Sequence, residues 1–139
     1  MIQRIQTIYL LLAALALFVL LALPVGYQEA ESGIVVNVGV TENIPTLVLS
    51  VLGGIVSLVA IFLYKSRKLQ LRITMIAILL SLLTLVSALV FDYVTGTQLI
   101  TSPNFIVLVM PVFSFVFNLL AYRGIDSDEK LVRSMDRLR

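Results

Sequence analysis

The sequence contains no cysteine and no histidine among its 139 residues. Without cysteine it forms no disulfide bond, no cysteine-based zinc site and no thiol nucleophile. Without histidine it lacks the most frequent general base and the most frequent metal ligand, which excludes Ser–His and Cys–His catalysis. Charge is scarce as well, since 13% of the residues are charged, about half the share found in soluble domains. The composition therefore leaves few side chains that suit an enzyme.

The sequence is rich in long hydrophobic runs. Hydrophobic residues make up 60% of the chain, and the mean hydropathy is +1.07. Four uncharged stretches, at about residues 5–23, 46–64, 73–91 and 105–122, each have the length of about 19 residues that a helix needs to cross a bilayer. The sequence therefore predicts an all-α membrane protein, a four-helix transmembrane bundle that forms one domain over residues 1–139.

The ten lysine and arginine residues all lie on one side of the predicted bundle. One precedes the first span, four lie between the second and the third, and five follow the fourth, whereas residues 24–45 and 92–104 contain none. Since cytoplasmic loops are enriched in basic residues, we expect both termini and the 65–72 loop to face the cytoplasm. The first span begins like a secretory signal peptide, but no A-x-A cleavage pattern follows it, so we expect a retained helix.

The basic residues on the predicted cytoplasmic side are candidates for contact with lipid headgroups or with a partner protein. They are Lys65, Arg67, Lys68, Arg72, Arg123, Lys130, Arg133 and Arg137. A juxtamembrane cluster such as the one at residues 65–72 attracts anionic lipids, although the same charges also serve simply to set the topology. Nucleic-acid binding is not expected, because the cluster is small and has no accompanying aromatic surface.

The two loops without basic residues predict a small β-structure outside the membrane. Residues 34–41 alternate with the period of a strand, and a turn at 31–33 would pair them with residues 25–30. Residues 97–101 are a candidate for a further strand. We therefore expect an extracytoplasmic β-hairpin or loop that caps the bundle.

The last residues predict a separate amphipathic helix on the cytoplasmic side. Arg123-Gly124 is typical of a helix end, and Asp126 is a candidate N-cap for a new helix over residues 126–139. The apolar residues that share one face of this helix are Leu131, Val132, Met135 and Leu138. Two placements stay open at this point: the helix lies on the membrane surface, or it docks onto a cytoplasmic partner.

Small and polar residues within the spans are predicted to mediate helix packing. They are Gln6, Ser50, Gly53, Gly54, Ser57, Pro111, Ser114 and Asn118. Pairs of small residues four positions apart in the second span let helix backbones approach closely, most simply within the chain itself. Asn118 is the most polar residue deep in a span, and we expect it to hydrogen bond to Gln6 at a similar depth. The stripe of Pro111, Ser114 and Asn118 is alternatively a ligand site.

No catalytic, nucleotide-binding or metal-binding motif occurs in the sequence, and no ionisable residue except tyrosine lies within a predicted span. We therefore expect no enzymatic activity, no metal and no cofactor. The leading interpretation is a non-enzymatic accessory or scaffold subunit of a larger membrane assembly, bound to a membrane-protein partner or to itself. The alternative is a small transporter or lipid-binding protein that acts as a homo-oligomer.

Four segments of the sequence form a recognisable set. They are MIQRIQTIYLLLA at the start (residues 1–13), YKSRKLQ in the middle (64–70), and AYRGI (121–125) and DEKLVRS (128–134) in the tail. This set resembles an uncharacterised Bacteroidota family of small four-helix membrane proteins, a domain of unknown function. The resemblance implies a location in the bacterial inner membrane and brings no catalytic residues. Because these segments are all on the predicted cytoplasmic side, we expect the working surface to face the cytoplasm.

Overall fold

Four long helices and one pair of short strands make up the part of the chain that the structure describes. The structure is a computed structural model, and it describes residues 2–29, 35–39, 43–95 and 105–136. The elements are, in chain order, α1 (Ile2–Ala22), β1 (Pro24–Glu29), β2 (Val35–Gly39), α2 (Ile44–Phe62), α3 (Arg67–Thr95) and α4 (Ile106–Asp136). Each helix contains a stretch long and apolar enough to cross a membrane, which confirms the predicted set of four membrane-length helices.

The helices form a ring in which each helix packs against two others. The α1 helix contacts α2 and α4, and α3 contacts the same two helices. Neighbours run antiparallel, since Gln6 near the start of α1 bonds to Asp128 near the end of α4, and Gln70 of α3 bonds to the carbonyl of Ala60 in α2. We call the end of the bundle with these two contacts the tail end. The opposite end, where α2 and α4 begin, is the hairpin end.

Small and polar residues of α2 and α3 line the centre of the bundle, and Leu10, Leu17 and Leu20 of α1 pack against them. Most other large apolar residues face outward. The buried residues of α3 are Gln70, Thr74, Ala77, Ser81, Thr84 and Ala88. Leucines of the same helix, such as Leu79 and Leu83, are half exposed. The buried hydroxyls of α3 donate to carbonyls of their own helix, as when Thr74 donates to the carbonyl of Gln70 at 2.8 Å. This arrangement suits a hydrocarbon surrounding, in which helices associate through small residues rather than through leucine.

Two glycines of α2 allow α1 to lie close against it. Gly53 and Gly54 are buried, and a Cβ at either position would come within 2.8 Å of an α1 side chain, Leu17 or Phe18 respectively. The remaining buried residues of α2 are also small or polar, namely Thr46, Ser50, Ser57 and Ala60. The small-residue face that the sequence predicts in the second span therefore packs inside this chain.

The two strands pair as an antiparallel hairpin. The register joins Pro24 to Gly39 and Glu29 to Val35, with an irregularity between Pro24 and Gly26. Residues 97–101, for which the sequence predicts a further strand, lie outside the described residues. The cap over the bundle stays a prediction.

The α4 helix corrects the predicted end of the fourth span. The sequence predicts a helix stop at Gly124 and a separate amphipathic helix from Asp126, but α4 continues unbroken to Asp136. Gly124 lies instead against Gln6 of α1, whose Cγ would be 3.1 Å from a Cβ at this position. The missing side chain therefore serves helix packing. Asp126 does not cap a helix, because it pairs with Lys130 one turn further along α4.

Candidate functional site

Asn118 is the centre of a hydrogen-bonded group that crosses the bundle from α4 to α2. Its side chain is fully buried. The Asn118 amide donates to Ser114 Oγ at 3.4 Å, and Asn118 Oδ1 accepts from the Ser57 hydroxyl at 3.3 Å. The single hydrogen of the Ser57 hydroxyl is shared between Asn118 Oδ1 and the carbonyl of Gly53, which is the nearer acceptor at 2.9 Å. Both ends of the Asn118 side chain therefore have partners inside the bundle, as interhelical hydrogen bonding requires.

The prediction of a hydrogen bond between Asn118 and Gln6 is wrong. Gln6 Nε2 donates to Asp128 Oδ2 at 2.8 Å, and Gln6 lies beside Gly124. Gly124 is more than one helical turn beyond Asn118, about 9 Å along α4. The side chains of Gln6 and Asn118 thus lie at different depths, because α1 begins further toward the tail end than the sequence suggests.

Pro111 and Ser114 complete the polar stripe that the sequence predicts in the fourth span. Both residues are buried. Pro111 lies inside α4, where its ring nitrogen has no hydrogen to donate to the carbonyl of Val107. Ser114 receives the amide of Asn118. The stripe faces the interior of the bundle, so its polar atoms stabilise the packing of this chain's own helices.

A second polar cluster joins three helices at the tail end. The carboxylate of Asp128 in α4 accepts from Gln6 in α1, and the backbone carbonyl of Asp128 accepts from Arg67 in α3 at 3.3 Å. We call Gln6, Arg67 and Asp128 the tail latch. The cavity beside the tail latch measures about 20 Å³, which is room for about one water molecule. The tail latch therefore fastens α4 to its neighbours, and its cavity is too small for an organic substrate.

Next to the tail latch, α4 presents an exposed stripe on its outer face. At spacings of three and four residues, this tail stripe consists of Arg123, Ser127, Lys130, Leu131 and Ser134. Lys130 bonds to Asp126 at 2.7 Å, and this hydrogen bond raises the pKa of Lys130 above its ordinary value. Lys130 is therefore cationic at neutral pH. The tail stripe combines two cations, two hydroxyls and the apolar Leu131 side chain on one accessible surface.

The other basic residues that the sequence predicts to contact lipid or a partner lie at the tail end as well. Those that are exposed in the turn before α3 and in its first turns are Lys65, Lys68 and Arg72. Arg67 is half-buried because it belongs to the tail latch. Arg133 pairs with Glu129 at 3.0 Å, and Arg137 lies outside the described residues. The tail end thus brings exposed charges of α3 and α4 into one region.

Two residues of interest are not among those predicted from the sequence. Asp128 is the partner of Gln6, and no local pattern connects residues that are 122 positions apart. Asn43 caps α2, since its Oδ1 accepts from the Thr46 amide at 3.4 Å. The sequence pattern does indicate an N-cap at Asn43, because asparagine followed by Pro45 at the start of an apolar run is typical of a helix N-terminus.

Four membrane-length apolar helices around a polar, hydrogen-bonded centre define a multi-pass membrane protein of the four-helix bundle class. Within the described ranges, no group of three histidine, cysteine, aspartate or glutamate residues is placed to hold a metal ion. The chain belongs to the family described as Domain of unknown function (DUF4293), which matches residues 2–138. This match confirms the resemblance to a family of unknown function; the bacterial group stays a prediction. No curated protein and no solved structure matches the chain.

Proposed function

We propose that the protein is a non-enzymatic subunit of a larger assembly in the bacterial inner membrane, and that its tail stripe binds the partner protein. The observation that carries this proposal is the length of α4. Its 31 residues extend for about 46 Å, against about 30 Å for the hydrocarbon core of a bilayer. About ten residues of α4 therefore continue past the membrane, and they carry the tail stripe from Ser127 to Ser134.

The tail latch supports this role because it makes the projecting part of α4 a fixed surface. Ile125 is buried, and Asp128 is bonded to both α1 and α3. The face of α4 opposite the tail stripe is thus held against the bundle. A helix that is fixed before binding needs little ordering when a partner arrives, which lowers the entropic cost of association.

The positions of the charges support a cytoplasmic tail end. Lys65, Lys68 and Arg72 are exposed there, whereas residues 24–45 and 92–104, which connect the helices at the hairpin end, contain no lysine or arginine. By the positive-inside rule, both termini face the cytoplasm and the hairpin lies outside as a cap. The exposed cations would also attract anionic lipid headgroups next to the tail stripe.

The alternative function, a small transporter or lipid-binding homo-oligomer working through the Pro111–Asn118 stripe, has less support. Asn118 is fully buried, and its side chain already has Ser57 and Ser114 as partners. A substrate would have to break both hydrogen bonds before it gained any of its own. We therefore assign this stripe to helix packing.

A photo-reactive amino acid in place of Leu131 tests the role of the tail stripe. In cells that produce the full chain at its native level, irradiation is expected to capture one reproducible partner in a fixed ratio. Leu79 is the matched control position, because it is also 55% exposed but lies on the apolar outer surface of α3. A photo-reactive residue there is expected to give mainly lipid adducts.

Charge reversal distinguishes a specific partner from a chance neighbour. Lys130→Glu is expected to lower the amount of captured partner at least tenfold, because a reversed charge in a complementary contact costs several kcal/mol. Arg72→Glu reverses an exposed charge at the same end but outside the tail stripe, and it is expected to leave capture unchanged. Equal capture from positions 131 and 79, or capture that survives Lys130→Glu, would contradict the proposal.

A further inference from the structure

An apolar groove runs along the outside of the bundle between the start of α2 and the end of α3. Its volume is about 490 Å³, which is within the range of sites that hold small molecules. Its walls include Ile44, Leu49, Leu83, Val86, Val90 and Phe91. From Leu83 to Val94 the groove follows α3 for about 16 Å. The groove is therefore long, apolar and located at the hairpin end, away from the tail stripe.

One polar side chain in this groove has an unused donor. Asn43 is 3% exposed. Its Oδ1 is occupied by the Thr46 amide, but its Nδ2 has no hydrogen-bond partner among the described residues. Buried amide groups are almost always paired. Ser87, which also lines the groove, bonds to the Thr46 hydroxyl at 2.8 Å and to the carbonyl of Thr84 at 2.9 Å, and it makes no hydrogen bond to Asn43 Nδ2.

We propose that the groove holds one acyl chain of a glycerophospholipid, and that the Asn43 side chain turns toward the groove so that its buried Nδ2 donates a hydrogen bond to the lipid's ester carbonyl. Asn43 directly precedes α2, at the end of an apolar span. Phospholipid ester groups lie at this depth, where the headgroup region meets the hydrocarbon core. Below Asn43, the apolar walls provide a surface for the chain. This lipid site goes beyond the proposed function, since it involves neither the tail stripe nor a partner protein.

A second copy of the chain satisfies this site less well than a lipid does. A transmembrane helix brings no free backbone acceptor to Asn43, because its carbonyls are paired within the helix. A diacyl phospholipid supplies both an apolar chain and a carbonyl oxygen in one molecule. The groove and the unused donor together therefore favour the lipid.

The test compares two lipids that differ only in the carbonyl. The purified full-length protein in mild detergent is titrated with dioleoyl phosphatidylethanolamine, or with its dialkyl ether analogue, and bound lipid is counted by native mass spectrometry. One molecule of the ester lipid is expected to bind, roughly three- to tenfold more tightly than the ether lipid, as the loss of one hydrogen bond implies. This comparison uses the unaltered chain, so it does not depend on how any variant folds.

Two variants locate the site. Asn43→Asp keeps the oxygen that caps α2 but removes the donor, and it is expected to bring the ester-to-ether ratio close to one. Val86→Phe fills the groove and is expected to weaken binding of both lipids about tenfold. Leu89→Phe is the matched control, because Leu89 is exposed to a similar degree at nearly the same depth of α3 but is not a wall of the groove; binding is expected to be unchanged.

Three results would overturn the lipid site. The first is the absence of a bound phospholipid on the unaltered protein. The second is equal binding of the ester and ether lipids. The third is a dimer that Val86→Phe dissociates while lipid binding stays the same, since the groove would then hold a second copy of the chain.

Discussion

Replacing Gly53 with leucine is expected to lower the free energy of unfolding by about 1–3 kcal/mol, as overpacking of a filled interior does. A Cβ at this position already comes within 2.8 Å of Leu17 Cδ1 and within 3.5 Å of Leu80 Cβ. Leu17 is itself fully buried, and the rest of a leucine at position 53 would also meet α3. The bundle must therefore separate α1 from α2 or force side chains away from their preferred rotamers.

Val59→Leu is the matched control for this prediction. It also places leucine on α2, but Val59 is 43% exposed, so the change in unfolding free energy is expected to stay within about 0.5 kcal/mol. Unfolding is measured by titrating the protein in mild detergent with sodium dodecyl sulfate and following helix content by circular dichroism. Equal stability of the Gly53→Leu and Val59→Leu proteins would show that Gly53 does not lie at a close contact between helices.

Asn118→Leu is expected to lower the free energy of unfolding by about 0.6–2 kcal/mol, the value of interhelical hydrogen bonds in membranes. The substitution removes the bonds from Asn118 to Ser57 and Ser114 but leaves the Ser57 hydroxyl bonded to Gly53. Because leucine has a similar size, little of the loss should come from a cavity.

A double-mutant cycle with Ser57→Ala identifies which contact carries the effect. If Asn118 and Ser57 interact as their 3.3 Å separation indicates, the two changes are expected to be non-additive by about 0.5 kcal/mol or more. Additive effects would show that the side chains act independently. A transporter site would behave differently, since Asn118→Leu would then abolish substrate binding and leave stability unaltered.

The four spans were predictable from the sequence because hydropathy over about 19 residues reports directly on the length a bilayer demands. The small residues of α2 were predictable for a related reason, since Gly53 and Gly54 have few roles in an apolar helix other than close packing. These features depend on local composition, and local composition is what a single sequence provides.

The predicted helix end at Gly124 is wrong because glycine has two uses in helices. Glycine after an arginine is typical of a helix end, but Gly124 lies inside α4 and makes room for Gln6. Only the position of α1 distinguishes the two uses. The same limit explains the wrong partner for Asn118, since hydrogen bonds between α1 and α4 depend on the relative depth of two helices far apart in the chain.

The groove at the hairpin end could not be predicted from the sequence, for a different reason. Its walls come from α2 and α3. In the sequence, the outward leucines and valines of these helices cannot be distinguished from ordinary lipid-facing positions. Asn43 was identifiable as a cap, but its unused Nδ2 becomes apparent only when its surroundings are known. A polar atom without a partner is a property of the packed structure rather than of the residue.

The orientation of the bundle underlies the proposed docking surface and is tested most directly by thiol labelling. The 139-residue sequence has no cysteine, so its single-cysteine variants carry no other thiol. Ser127→Cys marks the exposed tail stripe at the tail end, and Asn37→Cys marks β2. In intact cells, a membrane-impermeant maleimide is expected to label position 37 and to reach position 127 only after permeabilisation of the inner membrane. Labelling of position 127 but not of position 37 in intact cells would contradict a cytoplasmic tail stripe.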